Sequence, residues 1–118
     1  MLADEAPNVV SEDGFRLLLN EGYDAIVVSH STIEKEGVQW AGRWTVWVSK
    51  RESQDNRLLV ASRGHLKPRE FKTTYGLIGF LRKMGFATAV IPFHAGARAV
   101  QDQGGRNASP MAERALDT

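Results

Sequence analysis

The segment from Arg43 to Lys50 constrains the fold more than any other part of this 118-residue sequence. It reads RWTVWVSK, and its apolar and polar residues alternate with the period of two that is typical of a β-strand with one buried face. One face carries Trp44, Val46 and Val48. The other face carries Arg43, Thr45, Trp47 and Ser49. The alternation therefore predicts that Trp44 and Trp47 lie on opposite faces of one sheet.

Upstream of this strand, the sequence predicts a helix, a strand and a turn. Ser11 is a suitable N-cap for a helix through about Glu21, which Gly22 would end. The same stretch also fits a hairpin around Glu21 and Gly22, so this alternative stays open. The β-branched run at residues 23–30 predicts a strand, and the polar residues 34–37 predict a turn.

Downstream, the sequence predicts the rest of a hairpin, a helix and a last strand. Residues 57–63, RLLVASR, predict a strand that completes an antiparallel hairpin with the first. Thr73 or Thr74 is a natural N-cap for a helix over Tyr75–Met84, whose apolar residues form one stripe. FATAVIPF, at residues 86–93, predicts a short edge strand.

These elements predict one α+β domain in the order (α)βββαβ. Its antiparallel sheet would contain three to four strands, with one main helix packed on one face. The domain is predicted to span residues 11–94, and a chain of this length has room for one hydrophobic core. Residues 1–10 predict a disordered acidic arm, and residues 95–118, rich in Ala, Gly, Arg and Gln, predict a disordered tail.

The composition disfavours several classes of protein. No apolar run approaches the roughly 18–20 residues that span a bilayer, and the acidic N-terminus lacks the apolar region of a secretory signal. The absence of cysteine fits a reducing, cytoplasmic location. The histidines, His30, His65 and His94, are scattered, and no phosphate-binding loop is present. We therefore expect a non-enzymatic protein without a cofactor, metal or small-molecule substrate.

Charge is distributed unevenly along the chain. Residues 1–37 contain eight acidic and two basic residues, whereas residues 38–83 contain ten basic and three acidic residues. A basic segment of this kind predicts either a nucleic-acid-binding surface or a solvated face that is paired with the acidic arm.

The basic segment also contains all three tryptophans, Trp40, Trp44 and Trp47. If strand 57–63 shares the outward face of Trp47, that face becomes a basic sheet with a central indole. Arginines there would contact phosphate and guanine, and the indole would stack on a base. The predicted contact residues are Arg43, Thr45, Trp47, Ser49, Arg51, Arg57 and Arg63. In the competing arrangement, the helix at 12–21 covers this face and Trp47 is buried.

The region around the second helix carries two resemblances. A hairpin, then R-x-F-K-T from Arg69 to Thr73, then a helix with Phe80 and Leu81 resembles the βββα unit of integrase arm-binding and plant AP2-type DNA-binding domains over residues 43–85. The chain departs from that unit in its longer loop, GHLKP, and in its added last strand. The segment REFKTTYGLIGFLRKMGF is similar to a helix of small accessory proteins of proteobacterial plasmids and integrative elements.

These resemblances imply an accessory DNA-binding module of a mobile genetic element that binds through a basic, Trp-containing sheet face. The alternative is a protein-interaction or inhibitor domain that acts on a host, partition or conjugation protein through its sheet edge and Trp47. The expected partner is therefore DNA or a protein and not a membrane, and either function is compatible with a homodimer.

Overall fold

The computed structural model of the chain describes residues 8–61 and 67–105. In these ranges the chain forms an α+β domain with a seven-stranded mixed sheet, which confirms the predicted class but exceeds the predicted three to four strands. The helices are α1 (Glu12–Asn20) and α2 (Thr74–Lys83). The strands are β1 (Val9–Val10), β2 (Asp24–Ser29), β3 (Glu34–Glu36), β4 (Gln39–Ser49), β5 (Asn56–Leu59), β6 (Phe71–Thr73) and β7 (Arg98–Val100).

The long strand β4 organises the sheet because it pairs with four other strands. One half of β4 pairs antiparallel with β2 and β5, and the other half pairs antiparallel with β3 and β6. At the edges, β7 adds antiparallel to β2 and β1 adds parallel to β5. The predicted hairpin is confirmed in the β4–β5 pair. The predicted turn at 34–37 is instead the short strand β3, followed by Gly37 with a φ of 65°.

Both helices begin at the predicted caps. The Ser11 and Thr73 hydroxyls each accept a hydrogen bond from the backbone N–H three residues further on, at 3.2 and 3.1 Å. These bonds satisfy N–H groups that have no partner inside the helix. Of the two alternatives for residues 12–21, the helix is therefore correct. No helix in the described ranges is long and apolar enough to cross a membrane.

Both helices pack on the same face of the sheet, and the hydrophobic core lies between them and the sheet. Trp44, Val46 and Val48 are fully buried there, as the alternation along β4 predicts. The Trp44 indole Nε1–H also donates a hydrogen bond to the Pro92 carbonyl at 2.9 Å. From the helices, the core receives Phe15, Leu19, Leu77, Phe80 and Leu81.

The described fold extends beyond both predicted boundaries of the domain. Val9 and Val10 form β1 inside the predicted arm 1–10, and Arg98–Val100 form β7 inside the predicted tail 95–118. Strands of two and three residues are too short to show a hydrophobic period, and they form by pairing with distant strands. Residues 1–7 of the predicted arm and residues 106–118 of the predicted tail lie outside the described residues.

The last strand predicted at 86–93 is wrong, because these residues connect α2 to β7 without forming a strand. The Val90 N–H donates to Gln101 Oε1 at 2.9 Å, and the Val90 carbonyl accepts from Gln101 Nε2 at 2.8 Å. The buried Gln101 carboxamide thus takes the place of a neighbouring strand. The backbone of Val90 is therefore bonded within the chain and is not free to pair with the edge of a partner's sheet.

Candidate functional site

The sheet face opposite the helices, here called the open face, carries a groove of about 410 Å³. The register of the sheet pairs Trp47 with Ile26, and Ile26 with Val100. Cross-strand partners lie on the same face, so Trp47, Ile26 and Val100 all lie on the open face. We call this the Trp47 groove, and it is lined by Ile26, Val28, His30, Trp47, Asn56, Gly96 and Arg98.

The arrangement in which α1 covers Trp47 is wrong. Phe15 and Leu19 of α1 pack with Trp44 in the core, on the other side of the sheet. Trp47 is half-buried and is not a member of that cluster. The indole is shielded by its neighbours in the sheet, and neither of the two described helices covers this face.

Three polar side chains adjoin the apolar floor of the groove. His30 Nε2 lies 2.8 Å from Thr45 Oγ1, and this hydrogen bond fixes the imidazole beside β4. Asn56 and Arg98 are exposed, and they belong to β5 and β7, on either side of Trp47. Within the described part of the chain, no carboxylate lies within salt-bridge distance of Arg98. The groove therefore combines an indole with a guanidinium whose charge is not offset by a described carboxylate.

The structure brings four of the seven predicted contact residues to the open face. They alternate along β4 and are Arg43, Thr45, Trp47 and Ser49. Thr45 is only 5% exposed, so its hydroxyl serves to hold His30. Arg51 follows β4 in a turn, and Arg63 lies outside the described residues.

Arg57 lies on the face opposite to Trp47, so its predicted placement on the same face as Trp47 was wrong. The β4–β5 register pairs Trp47 with Leu58 and Val48 with Arg57. Leu58 therefore shares the open face, whereas Leu59 is fully buried in the core. The prediction failed because side chains alternate, and a shift of one residue in the register exchanges the two faces of a strand.

The open face is also less basic than the sequence predicts. Arg43 Nε lies 3.7 Å from Glu70 Oε2, and Arg51 Nη2 lies 3.4 Å from Asp24 Oδ2. The side chains of Arg43 and Arg51 are 54% and 81% exposed, so these pairs add little stability. They nevertheless offset much of the positive charge. Arg98 remains as the cation of the face without a described carboxylate partner.

The chemistry of the groove has to be inferred from its own residues. No protein-family model, curated protein or solved structure matches this chain. The indole and the apolar floor suit a planar, aromatic group, the Arg98 guanidinium suits an anion, and the Asn56 amide both donates and accepts hydrogen bonds. In the described ranges no group of three or more His, Cys, Asp or Glu is placed to hold a metal ion.

Of the residues that line the groove, sequence reasoning predicted only Trp47, and it missed the three polar ones, His30, Asn56 and Arg98. Alternation along β2 places His30 on the same face as Ile26 and Val28, so this signal was present in the sequence. Asn56 falls in a stretch that reads as a loop. Arg98 lies in a strand of three residues, in surroundings rich in Gly and Ala that do not predict a strand.

Arg57, which lies on the face opposite to the predicted one, belongs to a polar network at the end of the sheet. Arg57 Nε and Nη2 donate to the two Asp55 carboxylate oxygens at 2.9 and 3.2 Å, and the Tyr23 hydroxyl donates to Asp55 Oδ2 at 2.7 Å. The hydrogen bond from Arg57 and then that from Tyr23 lower the pKa of Asp55. The Asp55 carboxylate in turn raises the pKa of the Tyr23 phenol. This network ties the turn between β4 and β5 to the start of β2.

A second carboxylate, Glu12, joins the beginning of α1 to the end of α2. Its Oε1 accepts from Arg69 Nη1 at 3.0 Å, and its Oε2 accepts from Lys83 Nζ at 2.7 Å. The hydrogen bond from Lys83 is the largest effect on the pKa of Glu12, which is lowered even though burial acts to raise it.

We expect the protein to lose stability in acid through these two carboxylates. A carboxylate whose pKa is lower in the folded state than in the unfolded state stabilises the fold. This stabilisation is fully present above the unfolded-state pKa, roughly 4 for Asp and Glu, and is lost as the pH falls through the folded-state pKa. The double variant Glu12→Gln, Asp55→Asn should therefore be less stable than the wild type at neutral pH, and the difference should shrink at about pH 2–3. Urea unfolding at both pH values measures this. A difference that is the same at both values would show that neither carboxylate has this role.

Proposed function

We propose that this protein is a non-enzymatic nucleic-acid-binding module whose open face binds single-stranded DNA at the Trp47 groove. The observation that supports this most is that Trp47 and the exposed Arg98 line the same groove. A base would stack on the indole while the guanidinium contacts a neighbouring phosphate. Asn56 and His30 would supply hydrogen bonds to base edges or to sugar.

The charge of the face favours a single strand over a duplex. Binding to duplex DNA without extensive base contacts depends on many cations that displace counterions from phosphate. Here Arg43 and Arg51 are paired with carboxylates, which leaves few cations for that purpose. Stacking of an exposed base contributes about 1–3 kcal/mol without a strongly basic surface. Bases inside a duplex are stacked on one another, so their ring surfaces are not available to the indole.

We also propose that the module is an accessory protein of mobile DNA such as a plasmid. The support for this setting is the resemblance of residues 69–86 to a helix of such proteins. The alternative, a protein-interaction or inhibitor domain, relied on an edge strand at 86–93 together with Trp47. Since residues 86–93 do not form that strand, the sheet edge in this alternative would be one of the described edge strands, β1 or β7.

Fluorescence anisotropy with a labelled oligothymidine and with a duplex of the same length tests the proposed function. We expect the single strand to bind more tightly than the duplex. We expect the logarithm of its binding constant to fall with the logarithm of the salt concentration at a slope of only about −0.7 to −1.4. This slope corresponds to one or two phosphate contacts. The absence of binding at micromolar protein in low salt, or a preference for duplex, would contradict the proposal and favour a protein partner.

A further inference from the structure

The outward face of α2 carries an exposed apolar patch that is separate from the Trp47 groove. Tyr75 and Ile78 of α2 are 81% and 41% exposed. Beside them, around the β3–β4 hairpin, Val38 and Trp40 are 94% and 45% exposed, and all four residues line one shallow groove. Single exposed apolar residues need no explanation, but a contiguous group of large ones marks an interaction surface.

Six residues of α2 are exposed, and four of them, Tyr75, Ile78, Gly79 and Arg82, form a stripe along the helix at the spacing i, i+3, i+4 and i+7. Gly76 and Lys83 lie beside this stripe, which faces away from the core residues Leu77, Phe80 and Leu81. A Cβ atom at Gly79 would meet no atom within 4 Å. Glycine lowers helix stability relative to alanine, and no neighbouring atom requires it at this position. Its missing side chain leaves a gap in the stripe that an external group can enter.

The stripe is complementary to a second copy of itself. Along the axis of α2, Tyr75 and Arg82 lie at equal distances on either side of one point. Ile78 and Gly79 lie at equal distances on either side of the same point. A two-fold axis at that point brings two α2 helices together antiparallel. Ile78 then faces Gly79 of the partner subunit, whose missing side chain makes room for it. Tyr75 faces Arg82 of the partner subunit, where a guanidinium over a phenol ring is a favourable cation–π contact.

We propose that the protein forms a homodimer through α2 about this two-fold axis. In the described ranges no carboxylate lies within salt-bridge distance of Arg82, so its guanidinium is available to the partner's ring. The antiparallel arrangement also places opposite ends of the two helix dipoles side by side. Trp40 lies beside Tyr75 and Ile78 and extends the apolar surface beyond the helix. One helix face is a small interface, so the dimer forms reversibly with rising concentration.

Sedimentation equilibrium over a wide range of protein concentration tests this proposal. The wild type is expected to shift from monomer to dimer mass as its concentration rises. Gly79→Leu should remain a monomer throughout, because the leucine closes the gap that receives Ile78. This variant is not at risk of unfolding, since the position is open and leucine favours the helix more than glycine does. Arg82→Glu should weaken association by about tenfold through loss of the contact with Tyr75.

The chain has no cysteine, so a single introduced cysteine reports the geometry of the dimer. Ile78→Cys lies next to the proposed axis and is expected to cross-link into a covalent dimer on mild oxidation. Leu17→Cys is the matched control, because Leu17 is also an exposed apolar residue, 62% exposed, but lies on α1. A wild type that stays monomeric at every concentration, a Gly79→Leu variant that associates equally well, or equal cross-linking of the two cysteine variants would overturn the proposal.

Discussion

Trp44→Ala is expected to lower the free energy of unfolding by about 3–5 kcal/mol, a large share of the roughly 5–15 kcal/mol that keeps a domain folded. Trp44 is fully buried between the sheet and the helices, and its removal leaves a cavity that the surrounding core cannot fill. The variant also loses the hydrogen bond from the indole to the Pro92 carbonyl, which holds the connection between α2 and β7. Urea unfolding monitored by circular dichroism measures the loss.

Trp47→Ala is the matched control for this prediction, because it removes the same side chain three residues along the same strand. Trp47 lies on the open face, so its truncation should cost only about 1 kcal/mol. If Trp47→Ala destabilised the protein as much as Trp44→Ala, the open face would be part of a second core. The Trp47 groove would then not be a ligand site.

Gln101→Leu is expected to lower the free energy of unfolding by about 1–3 kcal/mol, since the variant loses two hydrogen bonds that contribute roughly 0.5–1.5 kcal/mol each. Gln101 is 1% exposed, and its carboxamide bonds both the N–H and the carbonyl of Val90. Leucine has a similar volume but can neither donate nor accept a hydrogen bond. Urea unfolding of the variant and of the wild type measures this loss.

Gln101→Glu separates the hydrogen bonds from the packing. A carboxylate still accepts from the Val90 N–H but cannot donate to the Val90 carbonyl, whereas a protonated carboxyl group does both. The variant should therefore be destabilised at neutral pH, and its difference from the wild type should narrow in acid. A difference that does not change with pH, or a Gln101→Leu variant as stable as the wild type, would show that the carboxamide does not replace a strand.

The features of the fold that are local in sequence were predictable, and those that depend on distant pairing were not. Alternation along β4 placed Trp44 in the core, and Ser11 and Thr73 marked the helix starts. β1 and β7 contain two and three residues, and each is a strand only because a distant strand bonds to it. Residues 86–93 have the composition of a strand. Part of their backbone bonding is instead supplied by one side chain, Gln101, and no local pattern indicates this.

The candidate site was predictable where it depends on one strand and not where it depends on register. Trp47, Arg43 and Ser49 follow from the alternation within β4. Arg57 was assigned to the wrong face because the register of β4 with β5 cannot be read from either strand alone. Arg98 was missed because β7 is too short to be recognised. The charges of Arg43 and Arg51 appeared free in the sequence because their carboxylate partners, Glu70 and Asp24, are distant along the chain.

The affinities of two variants test most directly the proposal that Trp47 on the open face binds a base of single-stranded DNA. Trp47→Ala removes the indole, whereas Arg57→Gln changes the predicted contact residue that the structure places on the other face. With a labelled oligothymidine in low salt, Trp47→Ala should bind about 5- to 150-fold more weakly than the wild type, which corresponds to about 1–3 kcal/mol for one stacked base. Arg57→Gln, compared at a temperature where both variants are folded, should bind as the wild type does. Unchanged affinity in Trp47→Ala, or an equal loss in Arg57→Gln, would contradict the proposal.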